Sequence, residues 1–257
     1  MNGVSPEAIQ AHAFAFVLIL SRIGGAIALL PGLGEASAPL MLKAGLALSL
    51  TLLMLPLVEP ALPPRPENQV ALALMVAAEI GNGLWFGWLV RVLTVSLPAA
   101  GQIVAECVGL SNVLQPSQEF GSQTTAVARW YEVAVPALFL TSGLYTLPLT
   151  ALAGYYRLIP PGTALWAADS AAATVTAVAE SFALALRLAS PFILMAIVWQ
   201  SSIGLVARLV PRLQVFFVAM PGQIAIGLLL LAFLGAPLTA AWMQAMRTSL
   251  SALPGTR

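Results

Sequence analysis

Apolar residues run through this chain in long blocks that charged residues interrupt unevenly. Charge-free blocks cover 133–156, 188–207 and 213–246, and each reaches the roughly 20 residues that a helix needs to cross a bilayer. Before residue 133, charges such as Arg22, Glu79 and Arg91 cut every block short. A charge at bilayer depth costs about 3 kcal/mol or more unless it faces protein or water. The pattern predicts an all-α integral membrane protein whose N-terminal helices face other protein, a pore, or both.

Turn residues divide these blocks into about six to eight helices. Ser5-Pro6-Glu7 is a typical helix start, and Pro31-Gly32 a typical stop. The Pro-rich stretch 59–67 is expected to be a non-helical connector. The predicted helices are 5–30, about 37–56, 66–97 with Pro98 at its end, 126–152 with bends at Pro136 and Pro148, and about 174–207, followed by an apolar run 213–246 that Pro221-Gly222 and Gly235-Ala236-Pro237 divide. The aromatic segment 155–169 is interpreted as an interfacial connection.

A polar stretch, 115–125, separates two apolar parts of the chain and carries Glu119 as its only charge. Its composition is equally consistent with an external solvent loop. The other interpretation is irregular backbone at membrane depth, which is tolerated only where it lines a cavity.

Composition then removes most enzyme classes. The 257 residues are 60% hydrophobic and 8% charged, with a mean hydropathy of +0.92. One His, one Lys and one Asp allow neither a His-pair zinc site nor a Walker A motif nor an aspartate pair. We therefore predict no catalysis, no cofactor and no metal. Cys107 alone cannot form an internal disulfide, and a net charge of +1 gives no case for nucleic acid. The lack of a basic residue before the first apolar stretch argues against a cleaved signal peptide.

Six residues were singled out as candidate subunit contacts. Glu79 and Arg91 lie about 120° apart on an ideal helix, so they cannot pair with each other and are expected to need partners outside the chain or an aqueous lumen; the alternative is that they reach an interface with their long side chains. Gly83 and Gly87 form a GxxxG, a spacing that suits close helix packing, although one such motif is also expected by chance among 20 glycines. Arg129 and Glu132 are the last two candidates, and their i,i+3 spacing suits pairing on one helix face.

The order of motifs along nearly the whole chain resembles the flagellar biosynthesis protein FliR family. The matching segments are Pro31-Gly32 with Pro39, 43–50 and Pro56, then 78–87, 100–103, 108–116, 189–193, 204–216 and 220–224. Gln102 and Gln115 stand where the family usually has acids. The Gly-His pair that commonly follows the middle helix is replaced by Gly143-Leu144, so no role of that His is carried over.

The resemblance implies one FliR-like membrane domain over 1–257, with a charge-interrupted part at about 1–125 and a more apolar part at about 126–257. It implies a type III export gate in the bacterial inner membrane, at the flagellar basal body. FliP-like, FliQ-like and FlhB-like subunits would be its partners there, and unfolded flagellar proteins would be exported through it. The equivalent subunit of a virulence injectisome remains open.

The resemblance also implies that the middle polar loop helps to plug the closed pore. The residues expected to form this plug supply apolar bulk, backbone freedom or polar groups that satisfy irregular backbone: Gly109, Leu110, Asn112, Val113, Leu114, Gln115, Pro116, Phe120 and Gly121.

A self-contained secondary transporter is the competing hypothesis, since proline-broken helices and intramembrane charges are typical of such proteins too. A transporter is expected to show an internal repeat. The two halves of this chain show no clear duplication, because one is interrupted by charges and the other has long charge-free runs. Co-purification separates the two hypotheses, since a gate subunit needs hetero-partners.

Overall fold

The computed structural model describes residues 6–35, 38–110, 124–163, 167–209 and 215–256. These residues form eight α-helices and one short 3-10 turn, Glu59–Ala61, and within these ranges there is no β-strand. The helices are α1 (Pro6–Leu29), α2 (Leu40–Val58), α3 (Gln69–Thr94), α4 (Ser96–Val108), α5 (Ala126–Thr141), α6 (Thr146–Leu158), α7 (Ala167–Leu209) and α8 (Val215–Ser251). The predicted all-α class is confirmed.

Five stretches of helix in the described ranges are long and apolar enough to cross a membrane, or six if α5 and α6 together count as one broken span. They include α2, the α3–α4 stretch, α7 and α8. The prediction of a helical membrane protein is therefore confirmed. At about 1.5 Å per residue, the 43 residues of α7 extend roughly 65 Å, about twice the ~30 Å hydrocarbon core.

The prolines break fewer helices than the sequence predicts. Helix α8 is continuous over 37 residues although it contains Pro221 and Pro237, so the predicted division of the last apolar run is wrong. Each proline removes a single N–H from the helix, whereas a full break inside a membrane would expose several polar backbone groups. Pro98 lies in the first turn of α4, where its missing N–H has no acceptor to lose. The break comes before it, at Val95.

One predicted helix is divided where no division was expected. The segment 126–152 forms the whole of α5 and the first half of α6, because residues 142–145 make a turn between the two helices. Gly143 has a φ of 73°, the left-handed conformation that favours glycine. Pro136 and Pro148, which were expected to bend the segment, both lie inside helices.

The chain divides into two compact units. One, called here unit A, contains 1–93, 139–177 and 247–257, and the other, unit B, contains 94–138 and 178–246. Each unit takes residues from both the charge-interrupted N-terminal part and the more apolar C-terminal part of the sequence.

The core of unit A is built on one face of α1. The buried positions on this helix recur at intervals of three and four residues, the spacing of a single helical face; they are Ala15, Leu18, Ile19, Arg22, Ile23, Ala26 and Ile27. Arg22 is the charged residue on this otherwise apolar face, and it is fully buried.

Glycines bring α3 into close contact with α1. A Cβ atom added to Gly83 would collide with the carbonyl oxygen of Arg22, and one added to Gly87 would lie 2.5 Å from that of Ala26. On the facing helix, a Cβ on Gly25 would lie 2.8 Å from the carbonyl oxygen of Ile80. The GxxxG therefore allows close packing of α3 on α1 within the same chain, and a role of Gly83 and Gly87 in contacts between subunits stays a prediction.

In unit B a glycine likewise allows close packing, here between α4 and α5. A Cβ on Gly101 would lie 2.7 Å from the Tyr131 ring and 3.1 Å from the Ala128 Cα atom. Elsewhere in this unit the indole N–H of Trp242 donates a 3.1 Å hydrogen bond to the Ser96 hydroxyl, and both residues are fully buried. A buried indole needs such a partner.

We predict that Gly83→Ala destabilises the protein and that Gly81→Ala does not. The added methyl group at residue 83 meets the α1 backbone, which cannot yield as a side chain can, and overpacking of this kind costs about 1–3 kcal/mol. At Gly81 no atom lies within 4 Å of an added Cβ, so this variant controls for the helix propensity of alanine. Thermal unfolding of the detergent-extracted protein measures both, and equal melting temperatures would contradict the close packing.

Candidate functional sites: a buried ion pair and an anchored polar segment

Arg22 of α1 and Glu79 of α3 form a buried bidentate ion pair in unit A. The Arg22 Nε atom lies 2.5 Å from Glu79 Oε2, and Nη2 lies 2.9 Å from Oε1. Both side chains are 0% exposed. The planar guanidinium matches both carboxylate oxygens at once, which makes this one of the stronger polar contacts available to a protein.

This pair corrects the expectation that Glu79 needs a partner outside the chain. The two residues are 57 positions apart in sequence, so nothing in the local pattern of α3 shows that they meet. Because the close approach of α1 and α3 brings them together, two charges that would each be costly at membrane depth neutralise each other inside the chain.

The pair also fixes the connector between α6 and α7. The backbone N–H of Gly162 donates to Glu79 Oε1 at 2.6 Å, and Arg22 Nη1 donates to the Ile159 carbonyl oxygen at 2.9 Å. Asn82, one turn along α3, donates through Nδ2 to the Thr163 carbonyl oxygen at 2.8 Å. Non-helical backbone in a membrane protein must have its polar groups satisfied, and here two charged side chains and one amide side chain do so.

Two tyrosines complete the surroundings of Arg22. Its guanidinium carbon lies 4.3 Å from the centre of the Tyr156 ring and 5.5 Å from that of Tyr155, distances that allow cation–π attraction. Trp85 stacks on Tyr155, with the ring centres 6.1 Å apart. Both tyrosines are buried, which corrects the interpretation of this segment's aromatics as interfacial. Sequence analysis missed their role, because a Tyr-Tyr-Arg sequence near Pro160 is just as typical of a membrane interface.

The remaining charged candidates also have partners within the chain. Arg91 lies 3.8 Å from Glu35, with both side chains partly exposed, so the expectation that it needs an external partner is wrong as well. Arg129 and Glu132 pair at 2.9 Å, as their i,i+3 spacing predicts, and the side chain of Arg129 is 73% exposed. Of these pairs, Arg129–Glu132 contains the most exposed side chain.

The polar segment begins at an ordered helix end in unit B. Gly109, with a φ of 86°, ends α4, and the N–H groups of Gly109 and Leu110 donate back to the carbonyls of Glu106 and Ala105. This is the Schellman arrangement that glycine favours. The other predicted plug residues lie outside the described residues: Asn112, Val113, Leu114, Gln115, Pro116, Phe120 and Gly121.

Two glutamines hold the segment on either side. Gln223 of α8 donates through Nε2 to the Cys107 carbonyl oxygen at 2.9 Å, just before the segment begins. Gln102 of α4 accepts the N–H of Thr125, the last residue of the segment, through Oε1 at 3.1 Å. Both ends are thereby tied to helices of unit B. Sequence analysis did not assign either glutamine this role, because the bonds join residues 23 and 116 positions apart.

The same contacts give a reason for glutamine at position 102. Its amide accepts from Thr125 and also donates to Glu106 Oε1 at 3.4 Å. A carboxylate at this position could accept but not donate, and it would face the Glu106 carboxylate one helical turn away. In this chain the Gln102 amide therefore donates a hydrogen bond to Glu106, where a carboxylate at position 102 would repel it.

Comparison with known proteins shows similarity over most of the chain. Residues 13–249 match the family described as Bacterial export proteins, family 1. The flagellar biosynthetic protein FliR of Caulobacter vibrioides is 31% identical over 236 residues, which are 92% of this chain and 94% of that protein. FliR of Escherichia coli strain K12 is 26% identical, over 84% of this chain and 82% of its own length. The Yop proteins translocation protein T of Yersinia pestis is 27% identical, over 88% and 87%.

We predict that Glu79→Gln destabilises the protein strongly. The change leaves the Arg22 charge buried without a counter-charge, and breaking a buried pair in this way costs about 3–5 kcal/mol. The control is Glu132→Gln, which breaks an exposed pair worth about 1 kcal/mol at most. The amount of protein in membranes and its melting temperature in detergent measure the difference. An E79Q protein with the melting temperature of E132Q would show that the pair contributes little.

Proposed function

This chain belongs to the family of bacterial export proteins, family 1, and we propose that it is a subunit of the flagellar type III protein export gate. The observation that supports this most is the full-length match to a flagellar FliR, which covers 94% of that protein. Helices long and apolar enough to span a membrane agree with a gate that lies in one. The injectisome alternative is supported by the match to translocation protein T, at 27% identity.

The proposed partners are FliP-like, FliQ-like and FlhB-like subunits in the bacterial inner membrane, at the base of the flagellum. Large apolar surfaces of this chain support assembly with other membrane helices or with lipid. In the most apolar stretch of α8 only 6% of the residues are buried within the chain, and in that of α2 only 17% are. Lipid alone could cover such helices, so the apolar surface supports the membrane location more directly than it supports any one partner.

The proposed subunit contacts now rest on a smaller set of residues. Glu79, Gly83 and Gly87 act inside unit A, where they join α3 to α1. The exposed pair Arg129 and Glu132 remains available to a neighbouring subunit, since it lies on the surface of unit B.

We propose further that residues 109–125 form the plug of the closed pore, with Leu110, Val113, Leu114 and Phe120 as its obstructing apolar part. The bonds from Gln223 and Gln102 support a segment with fixed ends, because each end is held by a side chain from a helix. A plug must be attached firmly at its ends while its middle moves out of the channel.

Deletion of the gene is expected to abolish swimming and the secretion of flagellar proteins, with no loss of injectisome secretion. The chain, tagged and extracted in mild detergent, should carry FliP-like and FliQ-like proteins with it, which mass spectrometry identifies. Restoration of swimming by the wild-type gene supplied on a plasmid is the functional control. If swimming persists and injectisome secretion is lost, the flagellar assignment is wrong; recovery of a folded chain with no other protein would favour the transporter hypothesis.

Deletion of residues 112–120 is expected to make the membrane leak small solutes, while export persists, because a plug opposes flow and does not drive it. Gln223→Leu should leak more weakly, since it frees the Cys107 carbonyl but keeps the segment. Gln200→Leu is the matched control, because Gln200 is an exposed glutamine of α7 in unit B whose side chain makes no hydrogen bond to another described residue. Uptake of a small impermeant dye by cells reports the leak. A tight membrane around a normally assembled deletion variant would show that the segment is an ordinary solvent loop.

A further inference from the structure

An apolar cleft lies in unit A where the last turns of α2 come beside the last turns of α6. Its volume is about 630 Å³, within the usual range of 300–1,000 Å³ for ligand sites. The walls are mainly aliphatic and include Leu57, Val58 and Ala153. Both helices end here, so the cleft opens where membrane-spanning segments give way to the connectors that follow them.

Arg157 is the cation in this cleft. It lies in the last turn of α6 and is exposed, and its side chain makes no hydrogen bond or ion pair with another residue in the part of the chain that the structure describes. Arg22, Arg91 and Arg129 each have a carboxylate partner in the chain. The cleft therefore combines an apolar trough with a cationic group that has no counter-charge among the described residues.

We propose that this cleft binds an anionic phospholipid, with one acyl chain along the apolar wall and the phosphate at Arg157. The lip of the cleft is apolar too, since Leu57 is 70% exposed, and this suits an occupant that comes from the bilayer. Basic groups in pockets between membrane helices are typical sites for anionic lipid headgroups. The proposal is independent of the export function.

Width and charge favour a lipid over a helix of another subunit as the occupant. A helix is about 10 Å across with its side chains, and it supplies a counter-charge to Arg157 only if it carries an acid there, whereas the phosphate of an anionic lipid always supplies one. An acyl chain is far thinner and can follow the trough along its length. Inorganic phosphate would use Arg157 but would gain nothing from the aliphatic walls.

Lipid binding can be measured by native mass spectrometry of the full-length chain, in the assembly in which it is extracted, titrated with phosphatidylglycerol or phosphatidylcholine. Phosphatidylglycerol should bind more tightly. Arg157→Gln should weaken its binding about fivefold, which corresponds to about 1 kcal/mol per basic group near a membrane surface. Ala153→Leu, which fills the cleft and leaves the charge, should weaken both lipids. Arg65→Gln is the control, since Arg65 is an exposed basic residue of unit A that does not line the cleft.

Equal binding of the two lipids would overturn the proposal, and so would wild-type binding by both the R157Q and the A153L proteins. A photoreactive residue at position 57 gives a separate test that does not depend on these variants. Crosslinks to lipid support the proposal. Crosslinks to another protein subunit would show that the cleft is a protein contact and would overturn it.

Discussion

The interaction on which unit A depends is the ion pair between Arg22 and Glu79. It joins α1 to α3, and through Gly162 and Ile159 it also holds the connector that follows α6. Neither charge reaches solvent, so each depends on the other for its counter-charge. Two hydrogen bonds to backbone groups supplement the pair, one from Arg22 Nη1 to the Ile159 carbonyl oxygen and one from the Gly162 N–H to Glu79 Oε1, and such additional bonds are the condition under which a buried ion pair is tolerated.

That pairing requires the two helices to lie unusually close. Gly83 and Gly87 let the α3 backbone approach the carbonyls of α1. The carbonyl that faces Gly83 belongs to Arg22, whose side chain binds Glu79. Small residues and a charged pair thus act together. The glycines set the distance between helices, and the distance brings the charged groups within bonding range. In unit B, Gly101 allows a similar approach of α4 to α5, there with an aromatic ring as the neighbour.

The sequence predicts the class, the N-terminal helix and its end at Pro31-Gly32, and the close packing at Gly83, because these depend on local pattern and on the family. It does not predict the partners of Glu79 or of Gln102, since those lie far away along the chain. It overestimates proline as a helix breaker at positions 221 and 237, because in a membrane a complete break exposes more backbone than one missing N–H. It does not predict the turn at Gly143, because a single glycine within a long apolar run is also compatible with a continuous helix.

The contact between Glu79 and the N–H of Gly162 sets an order on biogenesis. A ribosome makes α1 and α3 long before it makes residue 162, so the carboxylate cannot have its full set of partners while the first helices enter the membrane. Unit A also takes residues 247–257, so it is not complete until those residues have been made. Helices α1 and α3 therefore wait for the rest of their unit, and the ion pair between them is the contact available to them in that interval.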